Sequence, residues 1–224
     1  NDFTWKDFQT RNNNELVAVL GNFVNRSIVL THKYYNGKVP EANQLTDYDK
    51  ETLAEIDKIK ESVETSMENF RLRESLKNAM DLARLGNKYL ADTEPWVLQK
   101  NDPERVKTIM NLSLQITANL STIIAPFLPR TAEKLTNYLN IEPISWNDLG
   151  KTDLIKTGHI INKAHLLFEK IEDKVVEQQL KKLHNSRNVS AINEEIASQK
   201  APVSFDEFSK LDIRTGKILK AEKI

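Results

Sequence analysis

Helix-breaking residues are scarce in this chain: six glycines and seven prolines punctuate 224 residues, while Leu, Lys, Glu, Asn and Ile are abundant. Stretches so free of breakers favour long helices over strands and turns, so the expected class is mainly α. Between residues 4 and 35, Leu16, Val19, Leu20, Phe23 and Leu30 recur at helical spacing, with further apolar side chains around the cylinder. That pattern predicts a helix that is central and largely buried. Asn36-Gly37 is a stop signal for it, and Pro40 keeps the chain from resuming at once.

Four more helices follow by the same reasoning. Thr46 or Asp47 can cap a second one, whose stripe is Leu53, Ile56, Ile59, Val63, Met67 and Phe70, with acidic residues in its first turns. Leu72, Leu76, Met80, Leu82, Ala83 and Leu85 carry a helical period towards Gly86, until Asp92-Thr93-Glu94-Pro95 breaks it and a loop runs to Asn101. Asp102-Pro103-Glu104 reads as an N-cap, a first-turn proline and an acid that offsets the helix dipole. The stretch Val106 to Ile124 behind it is apolar on more than one face, which predicts an inner helix ending near Pro126 and Pro129. Thr131 to Leu139 reads as a short helix, Trp146, Gly150 and Gly158 mark an irregular segment, and Lys174 to Leu183 is amphipathic again. The expected architecture is an antiparallel bundle of about five main helices over residues 1–184, followed by a polar linker at 185–202 and a mixed-pattern tail at 203–224.

Composition narrows the function classes. There is no cysteine, which removes disulfides, thiolate catalysis and Cys-bound zinc and fits a reducing cytosol. The apolar run Ile123 to Leu128 is far short of the ~20 residues a membrane span needs, so no membrane role is expected. A net charge of zero argues against a surface that coats DNA, and any nucleic-acid site must be local. The first residue, Asn1, and the last, Ile224 in an apolar-polar alternation, suggest that both ends are cuts. His32, His159, His165 and His184 are scattered without metal spacing, and no Ser-His-Asp pattern, glycine-rich phosphate loop or EF-hand loop is legible. No residue is therefore assigned a catalytic or metal-binding role.

Three residues stand out as binding candidates. Asn22 and Arg26 lie four apart in the first helix, roughly 40° around an ideal cylinder, at the border of the stripe through Val19, Phe23 and Leu30. A guanidinium offers forked donors and an amide both donor and acceptor, which suits base edges and phosphate; the same pair also reads as a polar contact between helices. Trp96 follows Pro95 in the loop between two inner helices, where its ring can face solvent and stack on an unpaired base, or fold back into the core. Trp5 and Trp146 read as core or cover residues. A locally basic series from Lys181 and Lys182 through Arg187, Lys200, Lys210 and Arg214 to Lys223 is suited to a phosphate backbone or to an ordinary charged surface.

Taken in order, the motifs resemble a known family. Trp5-x-x-Phe8, Asn14-Glu15-Leu16-Val17 and Leu20-Gly21-Asn22-Phe23-Val24-Asn25-Arg26 resemble the first helix of the methionyl-tRNA synthetase anticodon-binding bundle. Asn87-Lys88-Tyr89 leading to Glu94-Pro95-Trp96 is similar to the family segment before its anticodon-contacting Trp, and Pro126-Phe127-Leu128-Pro129 and Leu167 to Glu172 resemble later motifs. The resemblance implies that Asn22, Arg26 and Trp96 contact a CAU anticodon, the indole stacking on a base and the polar pair reading edges or backbone. The partner it implies is methionine-specific tRNA. The tail from Phe205 to Ile218 resembles the start of an appended tRNA-binding OB-fold; here it is incomplete, whereas a complete one often homodimerises such enzymes. Family signatures for methionine activation are absent, so ATP, Mg and the frequent structural Zn are expected only in the catalytic domain of a parent ligase, in the cytoplasm. A non-catalytic helical protein-interaction scaffold is the alternative.

Overall fold

A computed structural model describes residues 3–190, 203–212 and 214–215, with the backbone alone for 186–190. Its long elements are the rod formed by α1 (Trp5–Arg11), a π-helical segment (Asn12–Gly21) and α2 (Asn22–Tyr35), then α3 (Asp47–Glu68), α4 (Leu72–Thr93), α6 (Pro103–Ile123) and α7 (Pro129–Leu139). Between them lie the one-turn α5 (Pro95–Leu98), a 3-10 turn (Trp146–Asp148), α8 (Asp173–Ser190) and the short α9 (Phe205–Phe208). Among the described residues β structure is confined to one isolated bridge, Lys38 with Ile160. The mainly α reading therefore holds, and five long helices make the bundle.

Local chemistry explains the boundaries. Thr46 caps α3 in a reciprocal capping box with Asp49, and Asp102 caps α6 by accepting from the Arg105 N–H at 3.0 Å. Asn36 ends α2 in the left-handed region at φ 51°, followed by Gly37 at φ 77°, as the Asn-Gly pair requires. α3 and α4 form a hairpin, and α4 runs in the same direction as the first rod. Its Arg84 pairs with Glu15, and its Asn87 reaches the Val19 carbonyl at 2.8 Å. Where the two helices meet, Gly86 lies under the Phe23 ring so closely that a Cβ there would stand 2.3 Å from a ring carbon.

Three expectations about burial need correction. The first rod is buried along Leu20, Phe23, Val24, Ser27, Ile28 and Thr31, while Leu16, Val19 and Leu30 are only partly covered. The π-helical segment shifts the face by its wider turn, so one 3.6 period does not carry through from Leu16 to Leu30. Ser27 and Thr31 join the buried stripe by donating to Phe23 and Ser27 carbonyls at 3.0 and 2.7 Å. The central element is α6, whose residues 108 to 123 are all buried. Phe70 does not extend the α3 stripe: it turns the chain into α4 at φ 56° and is 89% exposed, with Leu72 and Leu76 exposed behind it.

Amides on α6 hold the irregular return segment. Gln115 brackets Ile155 through both N–H and carbonyl, at 3.1 and 2.7 Å. Asn119 does the same for Gly150 and Lys151, at 2.7 and 2.9 Å, and Asn111 donates to the Pro40 carbonyl at 2.8 Å. These residues stand four apart, so a single polar stripe on the most buried helix satisfies backbone groups of two stretches with little secondary structure of their own, the segment after α7 and the α2–α3 connection. The late Leu167 to Glu172 motif then closes on the start of the chain. Asn13 exchanges two hydrogen bonds with Ile171, both 2.9 Å, and Gln9 donates to the Ile171 carbonyl and to Asp173 at 3.0 Å.

The chain divides into two compact units, Asn1–Gln179 and Leu180–Ile224. In the second, helix α8 runs six residues into the expected linker, whose remainder, 191–202, lies outside the described residues. Ser204 and Glu207 form a capping box on α9, and the described Phe205, Phe208 and Leu211 are exposed. Lys181, Lys182, Lys210 and Arg214 are exposed, and Arg214 pairs with Asp212. The rest of the basic series, the Arg187 side chain and Lys200, Lys217, Lys220 and Lys223, lies outside the described residues, as does 216–224 of the proposed OB-fold start.

Candidate nucleic-acid interface

Asn22, Arg26 and Trp96 come together where α2 passes the α4–α6 connection. The Arg26 guanidinium carbon stands 4.5 Å from the centroid of the Trp96 ring, a cation–π contact. Arg26 is half-buried, and it makes no ion pair among the described residues. Trp96 remains 36% exposed, so the ring is neither in the core nor loose. Asn22, one turn before Arg26 and exposed, donates from Nδ2 to Asn87 Oδ1 at 3.1 Å. Val29 continues this face and is 48% exposed, giving an aromatic, a cation, an amide and an apolar patch on one surface.

The placement of Trp96 follows from how its connection folds. α4 ends at Thr93, and its capping residue Glu94 adopts the left-handed conformation at φ 40° just before Pro95. Pro95 then opens α5, and the Glu94 carbonyl accepts from Val97 and Leu98 at 2.9 and 3.1 Å. The Leu98 carbonyl accepts in turn from Asn101 and Asp102, at 2.9 and 2.8 Å, linking the turn to the α6 cap. Trp96 thus sits on a one-turn helix bonded at both ends, not on the open loop expected from Asp92 to Asn101.

Asp49 anchors both sides of this connection. Its fully buried carboxylate accepts from Tyr89 in α4 at 2.7 Å and, bidentately, from Arg105 in α6 at 2.6 and 2.7 Å. Burial pushes the Asp49 carboxyl up, but the Arg105 guanidinium, the Tyr89 hydroxyl and Thr46 outweigh it and hold the group down at about 2. Burial, and then the bond to Asp49, push the Tyr89 hydroxyl well above its ordinary range. Tyr48 stacks on Tyr89 with centroids 5.9 Å apart and donates to Asp92 at 2.6 Å, while Lys88 holds the same carboxylate at 2.8 Å.

With this geometry in place, comparison with known proteins is decisive for the family. The profile described as the anticodon binding domain of methionyl tRNA ligase matches residues 39–188, and that of class I tRNA synthetases (M) matches residues 1–28. The chain belongs to the methionyl-tRNA ligase anticodon-binding family. The methionine-tRNA ligase of Parabacteroides distasonis is 56% identical over 228 residues, covering 100% of this chain and 33% of that protein. That of Bacteroides fragilis is 55% identical over 225 residues with the same coverage. The chain therefore spans about a third of the length of these relatives. The apo crystal structure of Mycobacterium tuberculosis methionyl-tRNA synthetase matches with a TM-score of 0.68 at 23% identity, over 76% of this chain and 35% of that one, which supports the fold alone.

Several residues at or beneath this surface escape sequence reasoning. Asn87 stands in the sequence only as part of the Asn87-Lys88-Tyr89 motif, although a polar residue between the buried Gly86 and Leu90 signals a satisfied interhelical contact. Asp49 and Arg105 look like ordinary first-turn charges, and only the packing of α3, α4 and α6 brings them together.

Proposed function

We propose that this chain is the part of a methionine-tRNA ligase that reads the CAU anticodon of methionine-specific tRNA. The observation that carries this reading is the Arg26–Trp96 contact beside Asn22. A partly exposed indole braced by a guanidinium is a platform for an unstacked base. Trp96 stacks on one base, Arg26 donates to base edge or phosphate, and Asn22 meets a base edge. The domain anchors the tRNA so that its acceptor end reaches a catalytic region outside this chain, where methionine is esterified using ATP.

The chain has no cysteine, and among the described residues no group of three or more His, Asp or Glu stands close enough to hold a metal. On this reading ATP, Mg and a structural Zn belong to the remainder of the parent protein. Residues 203–224 are assigned to the start of a tRNA-binding OB-fold, joined by a linker within 185–202, and the complete fold would dimerise the parent. Among the described residues no helix is long and apolar enough to cross a membrane, and a cytoplasmic ligase is the setting proposed.

The exposed Phe70, Leu72 and Leu76 favour a second reading, a protein-interaction scaffold. They lie at the N-terminal end of α4, which is about 33 Å long at 1.5 Å per residue, while Trp96 lies beyond its other end. Fluorescence anisotropy of a labelled CAU stem-loop and single-base variants, at fixed salt, separates the two. A preference for CAU that Trp96→Ala reduces by about tenfold or more, with thermal stability little changed, supports anticodon reading. Sequence-blind binding lost at modest salt would favour the scaffold.

A further inference from the structure

Asn87 bonds in a way that leaves its amide no choice of orientation. Its Nδ2 lies 2.8 Å from the Val19 carbonyl and 3.1 Å from the Ala83 carbonyl. Both partners can only accept, so the atom between them must be the nitrogen, and both of its hydrogens are committed. The Asn87 oxygen therefore faces Asn22, at 3.1 Å, and can only accept there. Asn22 must in turn point its own nitrogen at Asn87. Its carbonyl oxygen is then directed away from Asn87 on an exposed side chain, with no other partner among the described residues.

We infer that Asn87 is a positioning residue that sets Asn22 to present a hydrogen-bond acceptor, which selects an amino base over a keto base at the nucleotide it meets. The inference rests on the anticodon-binding reading above and deepens it. Adenine and cytosine offer an exocyclic amino group that donates to such an oxygen, whereas inosine or uracil in the same pose brings oxygen against oxygen. Without Asn87 the Asn22 amide rotates by half a turn at little cost, offers donor or acceptor equally, and no longer discriminates. Two helical carbonyls thereby reach a base edge through two amides, Asn87 and then Asn22.

The test uses the whole chain and four anticodon stem-loops: CAU, the loop with cytosine replaced by uracil, the loop with adenine replaced by inosine, and a scrambled loop. Affinities are measured for wild type, Asn87→Ala, Asn87→Asp, Asn22→Ala and Trp96→Ala. Wild type is expected to prefer the amino base about tenfold at one of the two positions. Asn87→Ala should bring that ratio close to one. Asn87→Asp should lose it as well, because its second oxygen would meet the Val19 and Ala83 carbonyls without a hydrogen to give them. Unchanged discrimination in Asn87→Ala, in a folded Asn87→Asp or in Asn22→Ala, or equal weakening of all loops, would overturn the inference. If neither Asn87 variant folds, Asn22→Ala at its exposed position still decides. Binding that depends on Trp96 but ignores the amino-to-keto changes would overturn this inference and leave base stacking standing. Wild-type binding indifferent to all four loops and to Trp96 would overturn both.

Discussion

Replacing Arg105 with Met should strand a charge in the core beside the Trp96 connection. In the wild type, the Asp49 side chain is fully buried and held by a bidentate guanidinium, by Tyr89 and by Thr46. Its carboxyl sits at about 2 in the folded protein, against an ordinary value of 3.8. At about 1.4 kcal/mol per pH unit of displacement, this depression contributes about 2 kcal/mol of stability. Because the folded value is depressed, that contribution is present above about pH 4 and is lost as pH falls towards 2. Removing the guanidinium while keeping the carboxylate leaves an uncompensated buried charge and costs about 3–5 kcal/mol at pH 7. In the variant, burial should dominate and raise the folded value above 3.8, so protonation of Asp49 then favours folding. The stability gap between wild type and Arg105→Met should accordingly be widest at neutral pH, begin to narrow as pH falls through the variant's raised value, and go on narrowing below pH 4 as the wild type loses its own contribution. Urea unfolding followed by circular dichroism between pH 3 and 7 measures it. A neutral-pH loss under about 1 kcal/mol, or a gap that does not close in acid, would refute this account of the network.

Two further substitutions probe the frame around the site. Gly86→Ala places a methyl 2.3 Å from the Phe23 ring and should cost about 1–3 kcal/mol in thermal unfolding. It should also weaken stem-loop binding, because Asn22 and Asn87 adjoin the displaced residues. Phe70→Gly should stabilise the protein by about 1 kcal/mol, since it relieves a left-handed conformation at φ 56° while giving up a side chain that is 89% exposed; a measured loss would mean that Phe70 packs in solution.

Helix boundaries were legible because short-range chemistry sets them. Thr46 with Asp49, Asp102 with Pro103, and Asn36-Gly37 each satisfy or terminate a helix end within a few residues, whatever packs outside. The candidate site was legible in a different way. Ordered motifs pointed to Asn22, Arg26 and Trp96, while their chemistry alone fitted interhelical contacts equally well.

By itself the sequence determined the helical class, the helix-end signals and the absence of cysteine, since these depend on residue type and near neighbours, and its ordered motifs marked the three residues worth following. Only the tertiary structure decided that α6 is the innermost helix, that a π-helical segment resets the face of the first rod, and that Phe70 lies outside. It also decided the contacts that span the chain: Arg26 with Trp96, Asn87 with Asn22, and Asp49 with Tyr89 and Arg105. Those pairs are 70, 65, 40 and 56 residues apart, so no local periodicity encodes them. Their geometry exists only once apolar burial has brought the helices together.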